Sequence, residues 1–146
     1  MKYLILTLFL LSSPSFAGGP DRVSILAGSY HAGAKVDFEQ VNPGVFLTWE
    51  GEVFDWSVGA YRNSFGKPSV AATVGLPVVA WRTGEVSLFA GAAYYPEDGR
   101  TFAVHAGDFV PIGGLQIRHE NLFMQVIPSD GRTVDTIFSF GFTAPL

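Results

Sequence analysis

The sequence predicts an all-β fold, a single antiparallel up-and-down barrel of about eight strands that follows a short removable leader. Three observations predict it. Apolar residues alternate with small or polar ones along most of the chain, and no stretch carries the 3.6-residue repeat of an amphipathic helix. Of 146 residues, 48% are hydrophobic and 14% aromatic while only 15% are charged, a balance that suits an outer wall facing lipid. The charges also collect at turns, among them Glu50, Glu52, Asp55, Arg62, Lys67, Arg82, Glu97, Asp98 and Arg100. Placement at the rim matters, because Arg or Lys on a lipid-facing wall costs about 2–4 kcal/mol at mid-bilayer and almost nothing at the edge.

Residues 1–17 read as a signal peptide: Met1-Lys2 gives a positive start, Tyr3 to Leu11 is apolar, and Ser15-Phe16-Ala17 ends on small residues. The apolar run is too short to span a bilayer. Residues 18–146 are then one barrel domain, expected in the bacterial outer membrane.

Val23 to His31 is the first strand, with Val23, Ile25 and Ala27 on one face and Ser24, Leu26, Gly28 and Tyr30 on the other. A polar stretch ends in the turn signal Asn42-Pro43-Gly44. Val45, Leu47 and Trp49 form the apolar face of strand two, and Glu50-Gly51-Glu52 turns the chain. In strand three, Trp56, Val58 and Ala60 alternate with Ser57, Gly59 and Tyr61, and Asn63 to Pro68 is a turn. Ser69 to Val78 and Glu85 to Tyr95 are strands four and five, separated by Arg82-Thr83-Gly84. After Pro96-Glu97-Asp98-Gly99, Phe102 to Arg118 reads as one irregular sixth strand, since Pro111 removes a ladder donor. Leu122 to Ile127 is the seventh strand. In the last, Val134, Thr136, Phe138, Phe140 and Phe142 share a face that needs an apolar neighbour. Strands of this length are what a tilted crossing of about 9–11 residues requires, and closure removes the edges that lipid would not tolerate. Trp49, Trp56, Trp81, Tyr94 and Tyr95 lie near strand ends, as aromatic girdles would place them.

With 9 Lys+Arg against 13 Asp+Glu, the chain lacks the basic footprint of a nucleic-acid binder. It has no cysteine, and its three histidines, 31, 105 and 119, lack metal-ligand spacing; no cofactor is expected. The chemistry-bearing residues of interest are His31 and Ser64. In an up-and-down barrel, strands one and three run the same way, so both fall at one rim. A serine and a histidine there read as nucleophile and base, or as a strand end and an Asn-Ser turn. Gly28, Gly59, Gly75 and Gly91 either leave room for an acyl chain or relieve crowding in a narrow barrel.

Several stretches in shared order carry a resemblance: Ser29-Tyr30-His31-Ala32, Tyr61-Arg62-Asn63-Ser64-Phe65, Phe109-Val110-Pro111-Ile112 and Phe123-Met124-Gln125-Val126-Ile127-Pro128. Together they resemble the lipid A palmitoyltransferases of the bacterial outer membrane. The resemblance implies an eight-stranded barrel with an internal acyl-chain pocket and catalytic residues at the outer rim. It implies membrane lipids, phospholipid and lipid A, as partners, with His31 and Ser64 as the family's histidine and serine. Asn63 stands where that family has an aspartate and is the third candidate catalytic residue; it can hold a hydrogen bond but cannot balance the charge that develops on the imidazole. The alternative is a catalytically inactive barrel that binds lipid or modifies the cell surface. A soluble lipocalin-like barrel, with its apolar face inward, is the competing setting. A monomer is expected in either.

Overall fold

Alternation becomes a closed wall in the computed structural model, which describes residues 18–146. The leader expected over residues 1–17 lies outside the described residues. The strands are β1 (Arg22–Ala32), β2 (Val41–Trp49), β3 (Asp55–Arg62), β4 (Pro68–Trp81), β5 (Gly84–Tyr94), β6 (Phe109–His119), β7 (Leu122–Pro128) and β8 (Thr136–Pro145). Each pairs antiparallel with the next, and β8 pairs back on β1 from Thr136 opposite Ala32 to Pro145 opposite Arg22. Closure leaves no edge strand, which is how an all-β chain satisfies its backbone without a covering layer.

The two ends differ. The connections 50–54, 82–83 and 120–121 are short and share their end with the start of β1 and the end of β8. The connections 33–40, 63–67, 95–108 and 129–135 crowd the other end.

The outer wall is apolar: Ile25, Val45, Val58, Val70, Leu88, Leu115, Met124, Phe140 and Phe142 are all exposed. Along β4 the apolar outer face runs from Val70 to Trp81, which at ~3.3 Å per residue and a ~40° tilt is a band about 28 Å tall. The inner face is small and polar in its lower half. Thr48 meets Ser57 at 2.8 Å, Ser24 meets Thr143 at 2.9 Å, and Gln125 donates to Gln116 at 2.9 Å. Arg118, 8% exposed, donates to Glu50 and Glu85 across the short-turn end, where Glu50 also accepts from Arg22. This cluster gives each buried charge a partner, the condition under which charge is tolerated inside a fold.

Four expectations change. First, the faces of β1 switch. A register shift between Leu26 and Gly28 inserts Ala27 as an extra residue against β8, so Ser29 and His31 face inward with Ser24 and Leu26, while Tyr30 is 57% exposed. A bulge does this because one extra residue inverts the two-residue alternation beyond it. Gly28 sits at the bend, where any Cβ would press on the carbonyl oxygen of Gln40. Second, Asn42-Pro43-Gly44 lies within β2, not in a turn; the same shift absorbs an extra residue there. Third, the sixth strand starts at Phe109. Phe102 is buried beside Tyr95 with ring centroids 5.0 Å apart, so the chain before β6 folds over the barrel mouth, and its return at Gly107 takes a positive φ. Fourth, Tyr95 is buried within that cluster and does not join a girdle. Of the glycines, Gly59 leaves no empty space, because the Phe46 ring occupies the volume that its Cβ would take.

The β6–β7 ladder covers only Leu115–His119 against Leu122–Val126. The first half of β6, with Pro111, therefore has no β7 ladder partner.

Candidate functional site

His31 and Ser64 meet at the rim that carries the long connections, with His31 Nε2 2.8 Å from Ser64 Oγ. Each is placed by a different local device. The Ala27 bulge turns His31 inward, where it is 6% exposed and stacked on Phe38 with ring centroids 4.4 Å apart. Ser64 follows β3 in a turn that Asn63 holds. The Asn63 side chain is fully buried; its Oδ1 accepts from the backbone N–H of Phe65 at 2.9 Å and of Lys67 at 3.0 Å. Its Nδ2 donates to Ser69 Oγ at 2.8 Å. This is the local side-chain-to-backbone bonding by which Asn favours turns.

Asn63 makes no hydrogen bond to His31. The other ring nitrogen, Nδ1, is buried and has no hydrogen-bond partner among the described residues. The contact is thus a serine–histidine dyad without an orienting carboxylate: the Phe38 ring covers the face of the imidazole, and Nδ1 at its edge meets no acceptor among the described residues. Stacking fixes the plane of the imidazole but does not stabilise its cationic form as a carboxylate does.

The Ser64 backbone is anchored as well, because its carbonyl accepts from the Glu39 N–H at 2.8 Å. Around it lie rim ion pairs: Arg62 with Glu39 at 2.7 Å, and Lys67 with Glu97 at 2.8 Å and with Asp98 at 3.0 Å. The hydrogen bonds to Glu97 and Asp98 hold the Lys67 ammonium above its ordinary range, so it stays charged. Aromatic rings pack together at this rim: Phe65 contacts Phe38, Tyr95 and Phe102 with centroids 5.5, 6.3 and 6.2 Å away.

Ser64 lines an internal cavity that continues past Tyr61 and Phe46 to Arg22 and Arg118 at the far end. Tyr61 therefore faces the interior, whereas Tyr30 lies on the outer wall. Asn42 borders the same cavity and is 3% exposed. Sequence reasoning missed it because Asn-Pro-Gly is a turn signal; only the slip in β1 pairing shows that it sits on an inner face. His105 lies in the exposed β5–β6 connection, and His119 accepts from Trp81 Nε1 at 3.2 Å near the short-turn end, both away from the dyad. Among the described residues, no group of His, Asp and Glu is arranged to hold a metal ion.

Neither a family model nor a curated protein matches the chain.

Proposed function

We propose that this chain is an outer-membrane barrel, similar to lipid A palmitoyltransferases, that moves or hydrolyses an acyl chain of phospholipid or lipid A at its outer rim. One observation carries the reading: a serine hydroxyl lies 2.8 Å from an imidazole nitrogen and faces a cavity inside a barrel with an apolar outer wall. The apolar band of about 28 Å is close to the ~25 Å band of outer-membrane barrels, and the short-turn and long-connection ends correspond to their periplasmic and outer sides. Trp56 and Trp81 at one end and Tyr30 and Phe109 at the other are exposed where interfacial girdles sit. The half of β6 without a β7 ladder offers an acyl chain a route from lipid to the cavity wall.

In this reading His31 Nε2 takes the Ser64 proton as Oγ bonds to the ester carbonyl carbon. His31 returns that proton to the departing lipid hydroxyl as the carbon–oxygen bond breaks. A hydroxyl of a second lipid, or water, then receives the acyl group from Ser64 by the same steps in reverse. The expected outcome for mature protein reconstituted with phospholipid and lipid A, followed by lipid mass spectrometry, is a changed acylation pattern. His31→Ala lowers the rate by about 10²–10⁴-fold, the range for a positioned base, and Ser64→Ala, which removes the nucleophile, abolishes the change. An unchanged pattern in the wild type would remove the catalytic reading.

A second reading, a lipid-binding barrel without turnover, is favoured by the unpartnered Nδ1 of His31. Native mass spectrometry separates the two, since a binder returns its lipid unprocessed.

A further inference from the structure

The dyad supplies a nucleophile and a base, but attack on an ester carbonyl also places a negative charge on the carbonyl oxygen, and that charge needs a donor. We propose that Asn42 supplies it: its side-chain N–H is the oxyanion donor of the site. The inference rests on the acyl-transfer reading of Ser64 and His31.

Three features point to Asn42. It is 3% exposed, yet its Nδ2 has no hydrogen-bond partner among the described residues. A buried amide donor left unmatched costs about 1–3 kcal/mol, so a retained one calls for a reason. It also borders the cavity that Ser64 lines. Finally, its orientation is fixed from behind, because Ser29 Oγ donates to Asn42 Oδ1 at 2.5 Å. Ser29 and His31 lie on the same inner face of β1, and the Ser29 N–H is bonded to the Gln40 carbonyl at 2.8 Å. One bulged strand thus presents both the base and the residue that aims the amide.

The register brings Asn42 to the serine turn. Gly44 on β2 is paired with Tyr61 on β3, and the preceding connection is tied to Ser64 through the Glu39 N–H. Continuing the antiparallel pairing from Gly44 toward the rim runs Asn42 alongside the start of that turn.

Ser64 Oγ forms a bond to the carbonyl carbon, its proton passes to His31 Nε2, and the carbonyl π pair moves onto oxygen. Asn42 Nδ2–H donates to that oxygen. When the pair returns, the bond to the leaving alkoxide breaks and His31 protonates the alkoxide. Donors aimed at charge that develops only in the transition state act on kcat more than on KM.

The test uses the mature chain in detergent micelles with 4-nitrophenyl octanoate as the probe. Asn42→Ala is expected to lower kcat about 10²–10³-fold with KM within about threefold, the loss found for a single oxyanion donor. Asn42→Asp keeps the volume and the acceptor for Ser29 but turns an oxygen toward the oxyanion, and gives a loss at least as large. Ser29→Ala, which frees the amide to rotate, gives a smaller loss in kcat. Heat-modifiable migration on gels identifies the folded variants. Wild-type kcat in a folded Asn42→Asp or Asn42→Ala variant, with Ser64→Ala inactive, overturns the assignment of Asn42 alone. Turnover unchanged in Ser64→Ala overturns the dyad and Asn42 with it.

Discussion

Asn63 is the residue whose removal separates structural from chemical contributions at the rim. Its carboxamide closes bonds to Phe65, Lys67 and Ser69 while fully buried, so Asn63→Ala leaves those groups unmatched and opens a gap. A loss of about 1–3 kcal/mol in stability is expected, read by urea unfolding, together with loss of Ser64 reactivity. Asn63→Asp is expected to keep the fold, because a carboxylate accepts from both backbone N–H groups and from the Ser69 hydroxyl once that hydroxyl turns to donate. It is also expected to leave the rate within a few fold of wild type, as Asn63 does not touch His31. Recovery of a much higher rate in Asn63→Asp would show that a carboxylate there reaches the imidazole. The sequence showed that an asparagine precedes the serine. It did not show that the amide is spent on the turn, because hydrogen-bond partners of a buried side chain depend on the closed backbone around it.

At the scale of elements, the bulge in β1 governs the site. His31 and Ser64 could be assigned to one rim from strand count alone, since β1 and β3 are parallel in direction in any up-and-down barrel. The face of His31 could not. Alternation from Val23 to Tyr30 looks unbroken, and an extra residue such as Ala27 leaves no compositional mark. Deleting Ala27 is expected to leave plain alternation from Leu26 with His31 still opposite Ile137 and still inward, so turnover and heat-modifiable migration both persist; lost turnover in a folded variant would mean that the bulge does more than set the face of the base.

The connections carry a pH dependence. Asp130 accepts from the backbone N–H of Ala103 at 2.6 Å and of Arg132 at 2.7 Å, and these bonds hold its carboxyl below the ordinary carboxylate range. A depressed folded-state value means that the contribution is present above the unfolded value and is lost as pH falls through the folded one. The 95–108 and 129–135 connections are therefore expected to loosen in acid, below the usual aspartate range. Faster hydrogen exchange of the Ala103 amide there, corrected for intrinsic rate, would show it; unchanged protection would contradict it. The Phe102 segment misled the sequence reading for a related reason: a buried aromatic inside a lid has the same local pattern as one inside a strand.

For the whole molecule, the choice between lipid and water turns on the outer wall. Alternation, the rim charges and the terminal phenylalanines made the closed barrel legible, because a strand's period of two is written directly into its residues. Leu88 lies mid-strand on the outer face and is 48% exposed. In a membrane barrel, Leu88→Arg is expected to cost about 2–4 kcal/mol in lipid vesicles, whereas a water-facing wall would accept it within about 0.5 kcal/mol. The short-turn end of the interior is filled by the ion pairs of Arg22, Arg118, Glu50 and Glu85, which leaves the long-connection rim and the β6 edge without a β7 ladder as the approaches to Ser64.

The central claim is that Ser64, activated by His31, attacks an acyl ester at this rim. Its most direct test is covalent: folded protein is incubated with a long-chain alkyl fluorophosphonate, and the adduct is mapped by peptide mass spectrometry. The account predicts one adduct, on Ser64, formed about 10²-fold or more slowly in His31→Ala. An adduct at another residue, none at all, or labelling of Ser64 at the wild-type rate in His31→Ala would contradict it.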